Sequence, residues 1–161
     1  MKNQKINHLT TAAVIAALYV VLTLLCNALG LANHSIQVRF SEALTILPLF
    51  TPAAIPGLYV GCLLSNILTG CIPWDILFGP IATLLGALGT YFLGRKYKWT
   101  ATLPPILSNT IIIPLILSYA YHIKGSVFYF MLTVGIGEII SCGVLGMLLY
   151  VTLNKYRKHL F

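Results

Sequence analysis

The sequence predicts an all-α integral membrane protein, a single bundle of six transmembrane helices with both termini cytoplasmic. Three observations predict it. Of 161 residues, 58% are hydrophobic and 8% charged, against roughly 25% charged in an ordinary soluble domain, and the mean hydropathy is +0.91. The apolar residues gather into runs, most of them close to the roughly 20 residues that a helix needs to cross a bilayer. The basic residues, which give a net charge of +7, stand in short clusters between those runs. Such clusters encode orientation in a membrane and do not form a nucleic-acid-binding face. One domain over residues 1–161 is expected. It lacks a GxxxxGK[ST] phosphate loop, so any ATPase that drives it is a separate polypeptide.

The elements follow in order. Lys2 and Lys5 mark a short basic tail, and Leu9 to Leu29 forms the first transmembrane helix. Gly30 and Ala32 have the small side chains of a signal-peptide cleavage site, but the apolar run is longer than a signal core. Leu31 to Phe40 is a polar loop. Ser41 to Thr51 is a second apolar segment, short for a full crossing, and Pro52 is the natural break before a third, Ala54 to Thr69. Trp74 to Leu93, Ala101 to Tyr121 and Val127 to Leu153 complete the set. Counting Ser41–Thr51 as a crossing of its own puts the N-terminal lysines, the Arg95, Lys96, Lys98 cluster and the Lys155, Arg157, Lys158 cluster on one side. Only Arg39 and Lys124 are left outside. Glycines 135, 137, 143 and 146 make the sixth segment a candidate for a bend.

The chain has three acidic residues, Glu42, Asp75 and Glu138. Glu42 and Asp75 open the second and fourth helices at the outer face, where a carboxylate suits a helix N-terminus. Glu138 lies about 11 residues into the sixth helix, roughly 17 Å deep, and a carboxylate there is a functional candidate by default. Asn109 lies at a similar depth and Asn66 near the outer end of the third helix. Trp74, Tyr119, Tyr121 and His122 crowd the outer ends. An outward-opening pocket, polar at its floor and aromatic at its rim, is expected.

Each residue also has a plainer reading. Arg39 and Glu42 suit a local i, i+3 ion pair, and the aromatics suit an interfacial belt. Asn66 and Asn109 suit interhelical hydrogen bonds, and Glu138 a protonated structural carboxyl. His34 and His122 suit loops. Cys26, Cys62, Cys71 and Cys142 have no metal-like spacing, so no metal, disulfide or cofactor is expected in this chain. Two small-residue patterns concern packing: Gly57 and Gly61 in the third helix, and Ala12, Ala13, Ala16 and Ala17 in the first. The alanines, on a terminal helix near the cytoplasm, are the better docking face for a partner.

The run VRFSEALTILPLFTPAAIPGLYVGCLLSNIL, followed by PWDILFGPIATLLGALGTYFL, resembles the QueT family of queuosine-precursor transporters, substrate-binding S components of energy-coupling factor (ECF) importers. The resemblance covers essentially the whole chain. It implies a six-helix subunit of the bacterial cytoplasmic membrane, not an enzyme, that captures a 7-deazaguanine from outside. The subunit then associates with a T component and two ATPases, which consume the ATP. It also implies that Ala13 and Ala17, with Ala12 and Ala16 beside them, dock on the T component, and that Leu31 to Phe40 covers the site. For such a ligand, Glu138 is the expected acceptor of the ring N–H and amino group, in the manner of a carboxylate–guanidinium pair. Asn109 or Asn66 would donate to the carbonyl, and Trp74 or Tyr119 would stack on the ring. Asp75 or Glu42 would balance an aminomethyl cation. The alternatives are another vitamin or nucleobase on the same fold, or a stand-alone proton-coupled transporter using Glu138.

Overall fold

The structure is a computed structural model and describes residues 2–31, 38–119 and 126–160, with the side chains of 2–4 and 157–160 outside the description. Among the described residues the chain is helical and contains no strand. Helix α1 runs Lys2–Ala28, followed by a 3₁₀ helix Phe40–Leu49, then α2 Ala54–Leu68, α3 Pro73–Lys96 and α4 Leu103–Tyr119. The last apolar segment is continuous but changes pitch. Helix α5 Val127–Glu138 passes into a π-helical turn Ile139–Leu145 and then into α6 Gly146–Leu160.

Four of these stretches, within residues 5–28, 73–96, 98–119 and 127–156, are long and apolar enough to span a bilayer, while Phe40–Leu49 and Ala54–Leu68 are shorter apolar helices. Phe92, Leu107, Phe128, Leu132, Val144 and Leu148 are all more than half exposed. A surface this rich in exposed apolar side chains is solvated by lipid, and the chain is a multi-pass membrane protein.

The second segment differs most from a lipid-facing helix. Every residue from Ser41 to Pro48 is buried, and the helix is packed by α1, α2, α3, α6 and the π turn. A helix buried all round carries no polar stripe, which is why its sequence is nearly uniformly apolar. The 3₁₀ form rises about 2.0 Å per residue, so ten residues reach roughly 20 Å where an α-helix would reach about 15 Å. Its core partners include Ile15 and Tyr19 from α1, Leu58 and Cys62 from α2, and Ala87 from α3.

Small residues set the distance between α1 and α2. A Cβ placed on Gly57 would lie 2.7 Å from the Ala12 carbonyl oxygen, and one on Gly61 would lie 2.7 Å from Tyr19 Cβ and 3.0 Å from the Ala16 carbonyl oxygen. The four alanines of α1 therefore separate into two faces. Ala12 and Ala16 are taken up by contact with α2, while Ala13 and Ala17 are exposed. Helix α2 ends at Gly70, whose φ of +72° permits the paired bonds Gly70 N–H to Ile67 O at 3.2 Å and Cys71 N–H to Asn66 O at 3.0 Å.

Gly61→Leu is expected to force α1 and α2 apart and to destabilise the bundle by about 1–3 kcal/mol. Ala13→Leu, on the exposed face of the same helix, is expected to stay within about 0.5 kcal/mol of the parent. Thermal melts of the two variants in one detergent compare them.

Candidate functional site

The first turn of the 3₁₀ helix lacks intrahelical partners for its leading N–H groups, as every helix start does. Neighbouring elements supply them. The Arg39 N–H donates to Ser141 Oγ on the π turn at 3.0 Å, and the Phe40 N–H donates to Cys26 Sγ on α1 at 3.1 Å. Thr23 Oγ1 of α1 donates to Ser41 Oγ at 2.9 Å. This pinning fixes the position of Glu42, the next residue, which is 2% exposed.

Both oxygens of the Glu42 carboxylate are engaged. Tyr19 donates its hydroxyl to Oε1, and Asn109 Nδ2 of α4 approaches Oε2 at 3.4 Å. Glu138, the last residue of α5 and 7% exposed, accepts from the Cys142 thiol at 3.2 Å. Cys142 is one turn further on in the π segment, and its sulfur also lies 3.4 Å from the Glu42 carbonyl oxygen. That carbonyl takes a 2.6 Å bond from Thr45 Oγ1 as well. The pitch change at Ile139 thus carries Cys142 between the two glutamates, in keeping with the frequent placement of π turns at functional sites.

Carboxylate oxygens of Glu42 and Glu138 lie within 4.8 Å of each other and of the Cys142 sulfur. Two ionised carboxylates at 4.8 Å repel by about 3 kcal/mol at an effective dielectric of about 20, so the pair requires compensating donors or a positive charge. Arg39 supplies one. With Asn109, Ile113, Val134 and Glu138 it lines a recess of about 10 Å³, room for roughly one water molecule.

The chain matches the family model of the QueT transporter over residues 9–155. It belongs to the QueT transporter family. It is 33% identical over 108 residues to a protein of Lactococcus lactis subsp. cremoris (strain MG1363) named queuosine precursor transporter QueT. That alignment covers 64% of this chain and 63% of the relative, so the match spans less than two thirds of the relative's length. No solved structure matches.

In this QueT family member three of the expected site residues, Arg39, Asn109 and Glu138, line one recess, and a fourth, Glu42, adjoins it through its 3.4 Å contact with Asn109 and its place within 4.8 Å of Glu138. Glu42 lies in the buried cluster and not at an outer mouth, because the helix it opens is threaded through the bundle. Asn66 goes elsewhere. Its Nδ2 donates to the Asp75 carbonyl at 2.9 Å and presses on Gly79, which ties the α2–α3 turn as an interhelical bond does. Trp74, 55% exposed, stacks on Phe78 at 5.9 Å. Trp74 and Tyr119 line a groove of about 590 Å³ together with Ile81, Ile112 and Ile116. Polar floor and aromatic rim therefore belong to two cavities. Helix α4 serves both, with Asn109 and Ile113 in the recess and Ile112 and Ile116 in the groove. The expectations for His34, Tyr121, His122 and Lys124, and for most of the loop before Val38, fall outside the described residues.

Tyr19, Thr45, Ser141 and Cys142 were not legible as site residues from composition or motif. Tyr19 carried one usable signal: it is the single aromatic residue of α1. The donors of Glu42, Glu138 and Cys142 are of types that ligate divalent cations. However, both Glu42 oxygens already accept hydrogen bonds and a guanidinium faces the cluster, so the arrangement suits an organic ligand with N–H donors better than a metal.

Tyr19→Phe leaves the buried Glu42 one donor short and is expected to cost about 1–3 kcal/mol. Tyr91→Phe, whose hydroxyl meets Arg95 at 3.0 Å on the surface, is expected to cost less than about 0.5 kcal/mol. Parallel denaturation of both variants in micelles measures the difference.

Proposed function

We propose that this chain is the substrate-capture subunit of an ECF-type importer in a bacterial cytoplasmic membrane, crossing it six times with both termini inside, and that it binds a 7-deazaguanine in the Arg39–Glu42–Asn109–Glu138 recess. The observation that carries the reading is the convergence, in an apolar bundle, of two buried carboxylates and a buried amide from three different elements. Family membership and the name of the Lactococcus lactis relative point to the same ligand class.

The edge of a deazaguanine bears a ring N–H and an amino group side by side, three N–H donors in a plane. One carboxylate accepts two of them as a bidentate pair, as it would a guanidinium. Glu138 takes this role. The thiol bond of Cys142 to Glu138 and the long amide bond of Asn109 to Glu42 are contacts that ligand donors can replace. Asn109, released from Glu42, or Arg39 then donates to the ligand carbonyl. Because the recess is small, a ring enters only as these side chains move aside. Trp74 and Tyr119, exposed in their own groove, fit an interfacial belt.

Partner use follows from α1. Its inner alanines are occupied by α2, while Ala13 and Ala17 present small side chains outward, a surface on which the helix of a T component can pack closely. The ATP is then consumed by two further subunits. A second reading, a stand-alone proton-coupled carrier, rests on the same buried carboxylates. Uptake by this chain alone in liposomes under a proton gradient would establish it.

Titration calorimetry of the purified chain with 7-aminomethyl- and 7-cyano-7-deazaguanine, against guanine, riboflavin and thiamine, tests the ligand. Glu138→Gln is expected to lose about tenfold or more in affinity, the loss of charge-assisted hydrogen bonds, and an unchanged affinity overturns the assignment. Ala13→Trp is expected to leave binding intact and to abolish uptake in cells that carry the partner subunits.

A further inference from the structure

Among the described residues the charge of the recess is unbalanced. Glu42 and Glu138 are two of the three acidic residues in the chain, and each is less than 10% exposed. Among the described residues that line the recess, Arg39 is the cation. The remaining donors, Tyr19, Asn109 and Cys142, are neutral hydrogen-bonding groups. With both carboxylates ionised, the cluster would hold one negative charge more than Arg39 compensates, in a buried site where screening is weak. Two buried carboxylates within 4.8 Å disfavour double ionisation, so the pair retains a proton when nothing else neutralises it.

We propose that the recess exchanges that proton for a ligand cation. Without ligand, Glu42 and Glu138 hold one proton between them. A base that carries a protonated amine enters as a cation, the shared proton leaves to solvent, and the net charge of the recess is the same before and after. A neutral base of the same shape binds without releasing a proton, because the pair must keep it. Among the described residues, the titratable groups facing Glu42 are Tyr19 from α1, Cys62 from α2, Glu138 from α5 and Cys142 from the π turn, with Arg39 three residues before it. The closest like charge among them is Glu138, so the two glutamates titrate as a pair. The inference rests on the deazaguanine reading above and adds to it a preference for the charged ligand and a pH dependence.

The sign follows from the exchange. Binding a cation requires the pair to lose its proton. Affinity for the aminomethyl compound therefore rises by about tenfold per pH unit while the pair is protonated and levels off once it is not, whereas affinity for the cyano compound is flat while the pair is protonated and falls above that range. Calorimetry on the unmodified chain in phosphate and in Tris, buffers of different ionisation enthalpy, counts the protons directly. About one proton released per aminomethyl ligand and none per cyano ligand is the expected result. Glu42→Gln, checked for folding by its melt, is expected to abolish the release and to bring the two affinities together. Equal proton counts for the two ligands, or an aminomethyl affinity that does not change with pH, overturns the exchange. Failure of both compounds to bind instead overturns the underlying choice of ligand.

Discussion

Keeping two carboxylates inside an apolar bundle is the constraint from which most of this structure follows. An unsatisfied buried carboxylate costs several kcal/mol, and there is no solvent in the membrane interior to reduce that cost. Donors to Glu42 and Glu138 are therefore drawn from α1, α4 and the π turn, through Tyr19, Asn109 and Cys142. Those three contacts bring into register elements that are far apart in sequence. They also enclose a polar recess at which Arg39 and Glu138 meet.

Two departures from α-helical geometry serve that register. The 3₁₀ helix stretches a ten-residue segment and keeps its first turn against Ser141 and Cys26. The π turn after Glu138 widens the last transmembrane segment just where Cys142 must reach back to Glu42. The glycine-rich stretch that suggested a bend accommodates a local change of pitch within a continuous helix. Both devices bring polar groups together in a place where straight helices would leave them apart.

Helix α1 links the recess to the membrane-facing surface. Tyr19 touches Glu42 on its inner side, Ala12 and Ala16 meet α2 through Gly57 and Gly61, and Ala13 and Ala17 look outward. A displacement of α1 relative to α2 would therefore be felt at the carboxylate.

The six apolar segments, their order and the separation at Pro52 were all readable from the sequence, because hydrophobic runs and charge clusters are local properties that bilayer thickness makes informative. The candidacy of Glu138 was readable for the same reason: a carboxylate deep in an apolar run is costly wherever it points. The direction in which Glu42 and Asn66 face was not readable, nor was the division of the four alanines into an inner and an outer pair. Glu42 begins its helix and looked like a residue of the mouth. It lies inside only because the neighbouring helices enclose that segment on every side. Asn66 looked like a donor to ligand, and the α2–α3 turn claims it. Sequence alone determined which polar residues the membrane would have to accommodate. Only the tertiary packing decided which of them face one another, because a hydrogen bond is fixed by distance and direction in space and leaves no mark in the spacing of its partners along the chain.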